Sequence, residues 1–242
     1  MKHYKMIVMI CIYILMLSVG MYAIYEHIQI SYRTFNIQVS LADMFLWCLY
    51  KGIYIVYVVP VILVLLYNTR LRRVKDIQMV VRGGSRLRII IGQELYIIKI
   101  SFINSAVSIV SMLVISYIKR ISLYNFNSYN SMFAVITKQP VNINILTVYS
   151  VIFYYMFMQV LFVMNSVLLI NCVTSSRVIM CLGISIIEVM EWMGTGLGVI
   201  NSNCYKLLSD IQNGYWYMLR IIIVNIIVWV MTMLIYKNRE YR

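Results

Sequence analysis

Six apolar runs, each close to the length of a bilayer-crossing helix, take up most of this chain. They fall at about 6–25, 44–67, 95–118, 145–170, 178–200 and 219–236. A helix needs about 20 apolar residues to cross the hydrocarbon core. Of the 242 residues, 62% are hydrophobic and 12% charged, and the mean hydropathy is +0.84. A soluble domain is nearer half apolar and a quarter charged, so the surplus must be taken up by lipid. The sequence therefore predicts an all-α integral membrane protein: one transmembrane domain over 1–242, with six transmembrane helices and little soluble mass.

The runs differ in clarity. The first follows Lys2 and Lys5 like the opening of a signal peptide, but Met21 to Tyr25 lacks a small-x-small cleavage site, so it is expected to stay as a helix. The second is broken: Leu41–Tyr50 is apolar, Lys51 interrupts, and the run resumes with Pro60 inside it. Leu41–Tyr50 is read either as the outer end of a long tilted helix or as a short helix in the interface, with Lys51 reaching the headgroups.

A formal net charge of +13 raises the question of nucleic acid, but the basic residues flank apolar runs, where they orient a chain in the membrane. With both termini inside, the inner segments carry 13 Lys and Arg and the outer ones 7, leaving out Lys99 within the third run. The expected location is a bacterial cytoplasmic membrane, multi-pass, both termini cytoplasmic, in contact with lipid and without a nucleic-acid partner. The five cysteines form no C-x-x-C pair and are read as small packing residues.

Catalytic signatures are missing. The chain has no G-x-x-x-x-G-K-[ST] and no G-x-S-x-G, and its two histidines, His3 and His27, lie outside the runs. No catalytic residue, metal site or cofactor is expected on this chain. Gly194–Gly198 follows an apolar run rather than a strand and is read as a closely packed or flexible helix end.

The most basic segment lies between runs two and three. Val74, Ile77, Val80 and Val81 recur at helical spacing among Lys75, Asp76, Gln78 and Arg82, the pattern of a short amphipathic helix on the cytoplasmic face. Gly83 and Gly84 would end it, and Ser85 would cap a helix whose first turn, Arg86 to Arg88, runs into the third span. The segment is either a topology signal touching anionic lipid or a docking helix for a cytoplasmic partner.

Six spans, this basic loop and a short inner loop between spans four and five resemble the ABC-2-type exporter permeases. Arg82-Gly83-Gly84-Ser85-Arg86 is similar to the R-x-G-S-R/K run of small permeases in bacteriocin and peptide export or immunity systems. The resemblance implies a permease subunit that pairs with itself or a sister subunit and is driven by separate ATPase subunits, which would hold the ATP and Mg. Coupling to them would fall on Val74, Ile77, Val81, Arg82, Gly83, Gly84, Ser85 and Arg86. It also implies short re-entrant helices after span five, a role open to Gly194–Gly198 and to the apolar, aromatic loop of Tyr205, Leu207, Leu208, Tyr215, Trp216 and Tyr217.

Two acids stand inside the fifth run. Glu188 and Glu191 lie roughly 15 and 20 Å from its start at Val178, on one helix face. They are either structural hydrogen-bond partners or lining residues of a substrate path. Glu94 and Lys99, at the inner end of span three, read as anchors. The function expected is export or clearance of a hydrophobic or cationic peptide. Rival readings are an ion-coupled carrier using the intramembrane glutamates, or a non-transporting immunity or scaffold protein.

Overall fold

The computed structural model describes residues 2–51, 86–173, 186 and 204–238. The proposed docking segment 74–85, Glu188, Glu191, Gly194–Gly198, the fifth run apart from Ile186, and most of the second run lie outside the described residues. Among the described residues all regular structure is helical, with one isolated parallel bridge between Gln38 and Ser131.

Four long helices form the body: α1 (Lys2–Arg33), α3 (Arg86–Lys119), α5 (Ile145–Val173) and α7 (Ile211–Asn238). Three short ones, α2 (Leu41–Tyr50), α4 (Met132–Thr137) and α6 (Cys204–Ser209), gather at one end. Segments Ile90–Lys119, Ile145–Ile170 and Gly214–Ile235 are long and apolar enough to cross a membrane. At 1.5 Å per residue the 34 residues of α3 extend about 51 Å, well beyond the hydrocarbon core of about 30 Å.

Burial separates the roles of these helices. In α5, 72% of the apolar window is buried, against 33% in α3 and 28% in α7. The middle helix is thus enclosed by protein, while its neighbours present Leu95, Phe102 and Val110, or Ile223, Ile227 and Leu234, outward. So large an apolar surface suits lipid rather than water. The protein-facing side of α3 carries small polar residues: Ser101, Ser105 and Ser108 are fully buried. Ser105 Oγ donates to the Ser101 carbonyl at 3.0 Å and Ser108 Oγ to that of Asn104 at 2.8 Å. These intrahelical bonds satisfy the Ser105 and Ser108 hydroxyls, and the small side chains let helices approach closely.

The short helices and the segments around them form a compact cap. Ser40 and Asp43 make a capping box at the start of α2. Asp43 Oδ2 accepts from the Ser40 amide at 3.0 Å and its hydroxyl at 2.7 Å, and Asp43 Oδ1 accepts from the Phe133 amide at 2.9 Å. The Leu41 and Ala42 amides donate to the carbonyls of Ser122 and Leu123, and the Gln38 amide to that of Asn130. Phe126 stacks on Phe133 with ring centroids 4.2 Å apart, and Tyr205 of α6 leans on Phe133 at 5.8 Å.

Several boundaries depart from the sequence reading. The first helix does not stop where polarity begins at Glu26: it continues to Arg33, with Tyr22 donating to Glu26 one turn on. Leu41–Tyr50 is a short helix that ends at Lys51, with eight of its ten residues buried between α1, α5 and α6. The apolar, aromatic loop after the fifth run is helical from Cys204 to Ser209 and again from Ile211. Tyr205, Leu207 and Leu208 go into the cap core, whereas Tyr215 and Trp216 are exposed on the first turns of α7.

Candidate functional site

Polar residues in an apolar helix must find partners, and three of the long helices contribute such residues to one place. A cleft of about 340 Å³ opens between α3, α5 and α7. Its walls are aliphatic, with Ile91, Leu95 and Ile98 on one side and Ile222 and Ile226 on another. Between them lie Glu94, Asn165, Asn225 and Trp229. Measured along each helix from the end of its apolar segment, Glu94 and Asn165 lie about 6 and 8 Å in, Trp229 about 9 Å and Asn225 about 15 Å. The cleft therefore belongs to the end of the bundle away from the cap.

The hydrogen bonds at this site are incomplete. The Asn165 amide donates to the Glu94 carboxylate, which leaves the Asn165 carbonyl free to face elsewhere. Asn225 Nδ2 donates to the Ile221 carbonyl at 3.0 Å and, weakly, to that of Met158 at 3.4 Å. Glu94 Oε2, Asn165 Oδ1, Asn225 Oδ1 and Trp229 Nε1 are buried atoms with no hydrogen-bond partner. Asn165 and Asn225 are only 2% and 5% exposed, so bulk solvent does not reach their side chains. A buried polar group left unmet costs about 1–3 kcal/mol. These four atoms are enclosed by protein, and the wall that the cleft presents is almost wholly apolar.

Among the described residues no Lys or Arg lines this cleft. Lys99, paired with Glu94 in the sequence reading as an anchor, is exposed and outside the lining. Five positions apart, the two cannot share a helix face. Glu94 instead turns inward to Asn165.

Of the coupling residues expected from the sequence, Val74, Ile77, Val81, Arg82, Gly83, Gly84 and Ser85 lie outside the described residues. Arg86 is the first residue of α3, the position at which the sequence starts the helix entering the third span. The path acids Glu188 and Glu191 also lie outside the described residues. Asn165, Asn225 and Trp229 carried no weight in the sequence reading. Their signal was available as single polar or indole side chains inside apolar runs, but residues on two different helices do not announce that they meet beside Glu94 of a third.

No family model, curated protein or solved structure matches this chain. Among the described residues no group of three or more His, Cys, Asp or Glu could hold a metal ion.

Proposed function

We propose that the chain is the permease subunit of an ATP-driven exporter of hydrophobic or cationic peptide, with six transmembrane helices and both termini in the cytoplasm. The observation that carries a transport reading is the Glu94 cleft. A carboxylate inside an apolar helix is expensive in hydrocarbon and marks a substrate or ion pathway by default. The ATP-driven part of the reading is supported by the resemblance around Arg82–Arg86 and by the 13-to-7 charge asymmetry, which favours a cytoplasmic basic loop. On that reading the loop docks separate ATPase subunits, a second permease subunit completes the path, and the cap stands on the outer face.

The test is purification of the tagged full chain from its own membrane, followed by transport in inside-out vesicles. A P-loop ATPase is expected to co-purify, and uptake is expected to require ATP. The double change Arg82→Glu/Arg86→Glu should abolish ATP-dependent uptake while the protein still inserts. No ATPase, and uptake that ATP does not alter, would overturn the reading.

One observation favours a second reading, a proton-coupled carrier. Glu94 combines a titratable group with an unmet buried oxygen in the same cleft. Uptake driven by an imposed pH gradient without ATP would select it.

A further inference from the structure

A second pocket lies at the other end of the bundle, where α1 and α3 finish beside the cap. It encloses about 830 Å³, and its wall is mostly polar and open to solvent. Tyr22, Glu26, Gln29 and Arg33 of α1 form one side, and Lys119 and Arg120 stand on the other. Arg33, Lys119 and Arg120 are all exposed. The Lys119 ammonium lies 5.4 Å from the centre of the Tyr22 ring, and the Tyr22 hydroxyl donates to Glu26. Lys119 is also the last residue of the apolar segment Ile90–Lys119, so the pocket begins at the level where that segment ends.

Two further features narrow what the pocket can hold. The first is a stripe along α1: at about 100° per residue, Leu15, Val19, Tyr22, Glu26, Gln29 and Arg33 fall within about 80° of one another. Leu15 and Val19, toward the N-terminus, are aliphatic and 65% and 60% exposed. From Tyr22 onward the same face is polar and lines the pocket. The second is the backbone of Arg120, which takes a positive φ of 54° just past the end of α3. There the Ile121 amide returns to the Ser116 carbonyl at 2.9 Å. Glycine is the usual residue at such a helix end, and a side chain there is strained. Arginine brings to that position a planar fork of donors that matches the oxygens of a phosphate.

We propose that this pocket binds the headgroup of an anionic phospholipid whose phosphate carries a hydroxylated group, with an acyl chain lying along Leu15 and Val19. Lys119 and Arg120 meet the phosphate where the apolar segment of α3 ends. Glu26, Gln29 and, across the pocket, Asn36 and Asn130 supply acceptors and donors for the hydroxyls. From Tyr22 to Arg33 the polar wall runs about 16 Å along α1, more than a bare phosphate fills.

Other roles account for less of this. A choline headgroup has no N–H or O–H to offer the carboxylate and amides. A soluble phosphate ester would reach the basic residues and leave the aliphatic part of the stripe uncovered. Basic residues at a helix C-terminus also offset its partial negative charge, but that role gives no reason for arginine in a left-handed conformation.

The inference does not rest on transport; it needs the apolar faces of α1 and α3 to lie in lipid. In the test, the full chain in non-ionic detergent meets equal amounts of two lipids with the same acyl chains, and bound lipids are counted by native mass spectrometry. Phosphatidylglycerol is expected to be retained over phosphatidylcholine by roughly tenfold or more. Over phosphatidylethanol, which has the same charge and no headgroup hydroxyl, it should be favoured by roughly threefold or more. Soluble glycerol phosphate at the same concentration should not displace it. Arg120→Gly should hold or raise the thermal unfolding midpoint, because it relieves the backbone, and should remove one phosphatidylglycerol per chain. Lys206→Gln, which takes the same charge from α6 outside the pocket, should remove none.

Equal retention of phosphatidylglycerol and either comparison lipid by the unaltered protein would overturn the proposal, whether or not any variant folds. Displacement by glycerol phosphate would make a free phosphate ester the ligand and overturn the lipid assignment. A full lipid count in Arg120→Gly would overturn it too, as would equal losses in Arg120→Gly and Lys206→Gln, which would make net charge the cause.

Discussion

Asp43 and Phe133 are joined by a hydrogen bond that spans 90 residues of chain: the Phe133 amide donates to Asp43 Oδ1 at 2.9 Å. One fully buried carboxylate thereby serves two helix starts, since its other oxygen accepts from Ser40 at the start of α2. Without Asp43, the Ser40 and Phe133 amides would both be stranded in a dry cap. Asp43→Ala is expected to cost about 2–4 kcal/mol, from a lost cap and an unmet buried donor together. Thermal unfolding in detergent measures it, and a change below about 0.5 kcal/mol would remove Asp43 from its structural role.

The same residue sets a pH dependence. Burial pushes the Asp43 carboxyl up from 3.8 to about 6, against hydrogen bonds from Ser40 and Phe133 that favour the carboxylate. Between those two pH values the folded cap holds a proton that the unfolded chain has released. Stability from this group is therefore fully present below about pH 4 and is lost as pH rises to about 6, after which it levels. The span corresponds to roughly 3 kcal/mol. Unfolding midpoints measured from pH 4 to pH 7 should fall across this window, and in Asp43→Asn the fall should flatten. A midpoint that rises with pH would contradict the burial argument.

Gly214 is where α7 passes α6. A Cβ built on it would stand 2.8 Å from the Leu207 Cα, and the Leu207 side chain would be closer still. Backbone cannot yield as a side chain does, so Gly214→Ala should lever α6 away from α7 at a cost of about 1–3 kcal/mol. Leu207 and Leu208 are buried in the cap core, so the loosened cap should expose Cys204, which is buried beside them, to a thiol reagent. Unchanged Cys204 labelling in Gly214→Ala would show that the close approach is not needed.

Local pattern was legible where the chain's own neighbours decide the structure. The start of α3 at Arg86 and its run into the third apolar segment follow from breaker residues and apolar length. The cap did not follow, for a reason visible in its bonds. Gln38 to Asn130, Asn125 to Gln38 and Leu41 to Ser122 are pairings of distant segments, and no residue in 34–40 or 120–144 carries a period that foretells them. The apolarity of Leu41–Tyr50 was plain in the sequence, but its partners, α5 and α6, come from distant parts of the chain. In the cleft, Asn165 and Asn225 stood out as amides within apolar runs, yet their meeting with Glu94 depends on how three helices rotate about their axes.

The charge asymmetry sets the sidedness to be expected. Tyr129, 81% exposed on the cap, should be reached from outside the cell if the basic segments lie inside. In a cysteine-free background, Tyr129→Cys is expected to label in intact cells with an impermeant maleimide, and Arg82→Cys only after permeabilisation. Labelling of the Arg82 position in intact cells would invert the topology and move the cap to the cytoplasmic side.

The acids of the chain can be sorted by charge removal. Glu94 stands in the cleft with an unmet oxygen, and Glu188 and Glu191 stand in the fifth apolar run. Glutamine keeps the shape and hydrogen-bonding capacity of glutamate while removing an expensive charge from the membrane. A carboxylate held only as structure should therefore tolerate the change, and one that attracts a cation or carries a proton should not. Glu94→Gln and the pair Glu188→Gln/Glu191→Gln are each expected to insert at normal levels and to lose at least about tenfold in transport, a loss of about 1.4 kcal/mol of stabilisation for the charged species. Transport assayed beside the amount of protein in the membrane separates the outcomes. Normal transport in the double variant with loss in Glu94→Gln would confine the path to the α3–α5–α7 cleft and reduce Glu188 and Glu191 to helix packing. The reverse pattern would move the path to the fifth run and leave Glu94 as a hydrogen-bonded strut between α3 and α5.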